Sequence, residues 1–162
     1  MDMETLEKCG RDFLAVIERH YNLSNLQFDD GACTLAFDGG NALTLYPQFE
    51  GIRSILMHAV AGVAPLNGEK SRALFLEMLN GNDAWALTAG ATLGMDRKTG
   101  IVSLWQRFVL PADDAEEIVD AAEALLASAE YWRRIIVEHG GQPLFRTENA
   151  PESPAFSSML KA

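Results

Sequence analysis

Gly90-Ala91-Thr92-Leu93-Gly94-Met95-Asp96-Arg97-Lys98-Thr99-Gly100, running into Ile101–Leu110, is the stretch from which the fold is read. Its centre, Asp96-Arg97-Lys98-Thr99, is polar and ends in a glycine, the pattern of a turn. Apolar, β-prone residues flank it on both sides. The stretch therefore predicts two strands, about 84–93 and 101–110, joined by a turn at 95–100. Side chains alternate along a strand. Ile101 and Trp105 then share one face, and Val102, Leu104, Phe108 and Leu110 share the other. Trp85 and Leu87 extend the apolar character into the preceding strand. Helices on one face alone would leave some of these side chains for a second subunit or a partner polypeptide.

Downstream, Ile118, Ala122, Leu125, Ala129, Trp132 and Ile136 recur at alternating spacings of four and three. That narrow stripe predicts a helix over 113–139. Asp113 and Glu116 read as a capping box, with Pro111 just upstream. Acidic residues crowd the first half of this helix and Arg133 and Arg134 lie near its end, which suits the helix dipole. Upstream, Leu74, Phe75, Met78 and Leu79 predict a short helix over 69–80, stopped by Asn80-Gly81-Asn82. Before it, the period is two. Cys33, Leu35 and Phe37 alternate with Thr34 and Ala36, Asp38-Gly39-Gly40-Asn41 is a turn, and Leu43 and Leu45 resume the alternation. A third strand is expected at 54–60. These connections are too short for crossovers, so an antiparallel meander follows. Leu6, Cys9, Phe13, Val16, Ile17 and His20 predict a first helix over 3–21, ended by Asn22 in the left-handed conformation. The expected architecture is α+β, in the order α-β-β-β-α-β-β-α, a twisted antiparallel sheet with helices packed on it. It forms one domain over 1–139, followed by a flexible tail at 140–162.

Composition bounds the function. A chain of 162 residues buries roughly two thirds of its unfolded surface, enough for a core without disulfides. The formal net charge of −10 argues against nucleic-acid phosphates and anionic membrane surfaces as partners. Cys9 and Cys33 lack CxxC spacing and read as small core hydrophobes in a reducing compartment. The acidic start, Met1-Asp2-Met3-Glu4, carries no apolar signal core, so a cytoplasmic protein is expected. His20, His58 and His139 belong to three separate elements, and no zinc motif joins them, so no metal is expected. Asp29-Asp30-Gly31 and Asp38-Gly39-Gly40 lack the remaining ligands of a calcium loop and read as turns. Gly90 and Gly94 do not continue as a phosphate loop, and no serine sits in a nucleophile elbow. No enzyme and no cofactor is expected.

The element order, together with several local patterns, resembles the type III secretion chaperones of the Tir-chaperone (CesT-like) family. Those patterns are Met78-Leu79-Asn80, Gly90 to Asp96 followed by Thr99-Gly100, Leu104 followed by Pro111, and the Ala129–Trp132 pair on the last helix. The resemblance spans about residues 3–137. It implies a homodimer paired through the second helix and fourth strand, here Leu74, Phe75, Met78, Trp85 and Leu87. It also implies that the N-terminal chaperone-binding segment of a secreted effector is held in extended form, soluble and ready for export. Hydrophobic patches and strand addition to a sheet edge would hold it. The candidate partner-binding side chains are Phe37, Leu45, Leu56, Leu104, Trp105 and Phe108; Tyr46, Phe49 and Met57 are comparable. An export ATPase is a further contact that the resemblance suggests. Two alternatives stand beside this one: a regulatory or scaffolding module of the same fold without an export role, and a small-molecule site on the sheet face. A convergent polar pocket with perturbed ionisable groups would favour the last.

Overall fold

The computed structural model describes residues 3–48, 52–83, 85, 87–110 and 114–144. Helix α1 spans Met3–Tyr21. It ends where the Asn22 side chain permits a positive φ of 53°. The Leu23 N–H then donates to the Glu18 carbonyl at 2.8 Å, closing the last turn in a Schellman arrangement. Strands β1 (Cys33–Phe37), β2 (Asn41–Gln48) and β3 (Ser54–Val63) form the expected meander. Helix α2 spans Glu69–Asp83, β4 Thr92–Met95, β5 Ile101–Val109, and α3 Ala115–Glu138. The sheet order is β1-β2-β3-β5-β4 and every pairing is antiparallel.

Helix α3 carries the stripe read from the sequence. Ile118, Ala122, Leu125, Ala129, Trp132 and Ile136 are all buried against the sheet and its neighbouring helices. On the sheet, Leu35, Leu43, Leu45, Ile55, Met57 and Leu104 face this layer and are inaccessible to solvent. Phe13 and Ile17 of α1 complete the core, Phe13 meeting Phe108 edge-on at 5.7 Å. Arg133 ties α3 back to the first hairpin: its Nη2 donates to Asn41 Oδ1 at 2.6 Å and its Nε to the Ala61 carbonyl at 3.3 Å. Burial there pulls its pKa below the ordinary arginine value.

Three expectations are corrected. Asn80-Gly81-Asn82 does not stop α2, which runs on to Asp83. Gly81 serves another purpose: a Cβ there would overlap the Trp132 indole, so glycine lets α2 and α3 approach closely. The fourth strand does not begin at 84. Trp85 and Ala89 take positive φ, of 52° and 51°, and 87–90 form turns. The Thr88 and Gly90 N–H groups both donate to the Trp85 carbonyl, at 3.1 and 3.4 Å. The apolar residues in 85–91 thus mimic a strand in composition while the backbone coils; Ala84 and Ala86 lie outside the described residues. Third, the α3 N-cap is Asp114, whose Oδ1 accepts from the Glu116 N–H at 3.0 Å. Pro111 and Asp113 lie outside the described residues.

The chain after α3 joins the sheet before it leaves the described region. Gln142 and Val63 exchange backbone hydrogen bonds of 2.7 and 2.9 Å. Of the expected tail, 145–162 lies outside the described residues.

Candidate partner-binding surfaces

Strand register divides the expected partner-binding residues between the two faces of the sheet. Leu45 and Leu104 lie on the helix-covered face, both 0% exposed. They are core residues, because alternation places them opposite Met57 and Ala59 beneath α3. Met57 is equally buried. Phe37 and Phe108 share this face at its margin, where α1 covers them. The Phe37 ring meets Tyr21 at 4.9 Å, as Phe108 meets Phe13. Leu56 and Trp105 lie on the opposite, helix-free face and are half-buried. Phe49 lies outside the described residues.

On the open face the central feature is an aromatic stack. His58 and Trp105 are register partners in β3 and β5, and their rings stack at 4.0 Å. Tyr46 of β2 joins at 5.9 Å from Trp105. Trp105 Nε1 donates to Ser103 Oγ at 3.1 Å, fixing the indole. A shallow groove of about 550 Å³ runs beside the stack, bounded by Gly94, Asp96, Thr99 and Ile101. Its two ionisable side chains are both committed. Asp96 Oδ1 accepts from the Lys98 and Thr99 N–H groups and from Thr99 Oγ1, which holds its carboxyl below the usual range and builds the turn. Burial against Trp105 pushes the His58 pKa down, favouring a neutral ring. Among the described strand residues of this face there is no Asp or Glu. A second, smaller groove of about 240 Å³ lies between α1, the end of β5 and the start of α3, lined by Cys9, Phe13, Val16, Leu110 and Ile118 with Asp12 at its rim. Among the described residues, no three His, Cys, Asp or Glu side chains gather as around a metal ion. Burial also pushes the Cys33 thiol up, away from reactivity.

The expected pairing surface is likewise divided. Leu74 and Met78 point into the core, 0% and 7% exposed, and Phe75 packs against it. The apolar residues that α2 shows to solvent are Leu76 and Leu79, 58% and 66% exposed. Trp85 and Leu87, in the turn after α2, are exposed as expected. Two apolar ridges lie side by side on α2, Leu74 and Met78 turned inward and Leu76 and Leu79 turned to solvent. Only the position of Trp132 against Gly81 shows which one faces inward.

An acid-rich helical layer over a five-stranded antiparallel sheet with an uncovered aromatic face is thus the architecture to be matched. The model of the Tir chaperone protein (CesT) family matches residues 12–133. The chain belongs to this family. Among curated proteins, none matches the sequence. Among solved structures, a chain of the ExsC–ExsE complex superposes with a TM-score of 0.66 at 24% identity, over 84% of this chain and 97% of its own. A chain of the HopA1–SchA chaperone–effector complex gives 0.62 at 24% identity, over 83% and 98%. A chain of the ExoU–SpcU heterodimeric complex, from the type III secretion system of Pseudomonas aeruginosa, gives 0.59 at 18% identity, over 75% and 95%. These likenesses establish the shared α+β fold, and the CesT match runs from within α1 through all five strands and α2 into α3. No helix among the described residues is long and apolar enough to cross a membrane.

Proposed function

We propose that this CesT-family chain is a type III secretion chaperone of the bacterial cytoplasm. It holds the N-terminal segment of a secreted effector in extended form, soluble and competent for export, and it does so by binding, without enzymatic activity. The observation that carries this reading is apolar surface left open in a family of chaperones: the Tyr46–His58–Trp105 face, and the exposed side chains of Leu76, Leu79, Trp85 and Leu87. A segment that orders on binding loses conformational entropy, so its platform must offer large apolar area. The solved HopA1–SchA chaperone–effector complex, with which the chain shares its fold, supports an effector as partner, and the ExoU–SpcU complex supports the link to type III secretion.

The second part of the proposal is a homodimer. Leu76 and Leu79 on the outer ridge of α2, with Trp85 and Leu87, form the pairing surface; Leu74 and Met78 support it from within. A preformed dimer reduces the ordering that effector binding requires on the chaperone side. The acid carried by the helices keeps such a surface from indiscriminate association.

Both parts are tested together. Light scattering at micromolar concentration should give twice the 17.7 kDa chain mass, and Leu79→Glu with Trp85→Glu should give a folded monomer. Purification from the producing organism, with mass spectrometry of retained proteins, should recover a secreted protein through its N-terminal segment. A monomeric wild type that retains no secreted protein would overturn the reading.

A further inference from the structure

Surface turns ordinarily show polar side chains and bury apolar ones. The connection from α2 to β4 does the reverse. Trp85 and Leu87 are 62% and 45% exposed, whereas Thr88 is inaccessible to solvent. Trp85 also carries its indole on backbone of positive φ, 52°, a conformation that a bulky L side chain rarely adopts. Strain of this kind persists only where the surroundings impose it, and it gathers at functional surfaces.

Three sets of contacts impose it. At the base of the connection, the Leu93 N–H donates to Asn82 Oδ1 at 2.8 Å and Asn82 Nδ2 donates to the Leu93 carbonyl at 2.9 Å. A carboxamide presents one acceptor and one donor, so a single side chain ties the end of α2 to β4. Within the connection, the Trp85 carbonyl accepts from the Thr88 N–H at 3.1 Å, from Thr88 Oγ1 at 3.3 Å and from the Gly90 N–H at 3.4 Å. From outside it, Trp132 Nε1 donates to the Leu87 carbonyl at 2.9 Å. Trp132 is 1% exposed, and its ring lies against Gly81, where a Cβ would overlap it. The indole is confined by α2, which keeps its N–H on Leu87.

We propose that Trp132 and Asn82 are positioning residues for the pairing of two copies of this chain. Asn82 fixes the two ends of the connection and Trp132 fixes its middle. Trp85 and Leu87 are thereby presented already ordered, so docking loses less conformational freedom. Trp132 is buried and acts through the turn it holds. The strength of pairing thus depends on a hydrogen bond inside each copy, donated by α3, a helix that is not part of the pairing surface. The inference rests on the pairing surface proposed above and assigns the residues that shape it.

The test is sedimentation equilibrium of the full chain with Trp132 alone replaced by benzothienylalanine, which keeps the bicyclic shape and lacks the N–H. The dimer dissociation constant should rise about five- to tenfold, the scale of one net hydrogen bond, and amide exchange at Thr88 and Gly90 should quicken. Asn82→Ala, which leaves the Trp132 ring in place, should weaken pairing by a similar factor and speed exchange at Leu93. The decisive readout is coupling. With Trp85→Ala and Leu87→Ala already present, neither change should weaken the dimer further. A purely structural role would lower the urea midpoint and leave the dissociation constant where it was, which would overturn the inference. An equal loss of pairing with and without Trp85 and Leu87 would overturn it too, since the residues would then act by some route other than the turn. Both results leave the pairing surface standing. A wild type that stays monomeric at micromolar concentration would overturn the pairing surface and this inference together.

Discussion

Leu104 and Trp105 are adjacent in β5, yet they inhabit different solvents. Leu104 is inaccessible beneath α3, and Trp105 is half-buried on a face that no helix among the described residues covers. Both are large, apolar and strand-forming. The difference teaches that apolarity along this strand has two causes. One face supplies the cohesion of the fold. The other is surface kept apolar at a cost in solubility, which the acidic helices offset.

If that division is right, the two neighbours respond oppositely to truncation. Leu104→Ala removes a buried side chain from a close-packed layer and should cost about 2–5 kcal/mol of stability, read from the urea midpoint. The contact of α2 with α3 belongs to the cohesive side as well. Gly81→Ala ought to gain helix propensity, but its methyl meets the Trp132 ring, which Trp132 Nε1 anchors to the Leu87 carbonyl at 2.9 Å. We expect a net loss of about 1–3 kcal/mol, and a net gain would show that the helices separate easily. Trp105→Ala should cost less than Leu104→Ala, about 1–2 kcal/mol, because a half-buried ring leaves no enclosed cavity and loses mainly its stacking and part of its apolar area. It should leave far-UV circular dichroism unchanged and weaken partner retention. A Trp105→Ala protein as unstable as Leu104→Ala would erase the distinction between the faces.

The smallest effect concerns pH. Because burial lowers the folded-state pKa of His58 below 6.5, the unfolded chain binds a proton first as pH falls. The stability linked to His58 is therefore complete above the unfolded value and declines as pH drops through 6.5 toward the folded pKa. Denaturant midpoints at pH 7.5 and 5.5 should show this decline, and His58→Gln should flatten it. An unchanged slope in His58→Gln would mean that the open face leaves His58 as hydrated as in the unfolded chain.

Much of this was legible in the sequence because the signals are local. The stripe of α3 was read residue for residue, since a helix with one buried seam must repeat its apolar residues with the helical period. The turn at Asp96–Gly100 was legible from side-chain chemistry alone, and the structure shows the carboxylate bonds that explain it. The partition of β5 into two faces followed from alternation. What failed was whatever needed a distant partner. Asn80-Gly81-Asn82 reads locally as a helix stop, but Gly81 answers to Trp132 and Asn82 to Leu93. Trp85 and Leu87 read as strand, but 87–90 turn and the Leu87 carbonyl is offered to Trp132. Leu45 and Leu104 read equally well as surface, because periodicity states that two faces differ without stating which one is covered.

By itself, then, the sequence determined the order and kind of the elements, the two-faced strands, the acidic helical coat and the resemblance to a family of chaperones. Those are properties of neighbouring residues and short periods. Tertiary structure alone decided which apolar face is core, which ridge of α2 remains outside, and that Asn82 meets Leu93. Each of those depends on where α1 and α3 land and on what residues far apart in the chain place against one another, and no local pattern encodes that meeting.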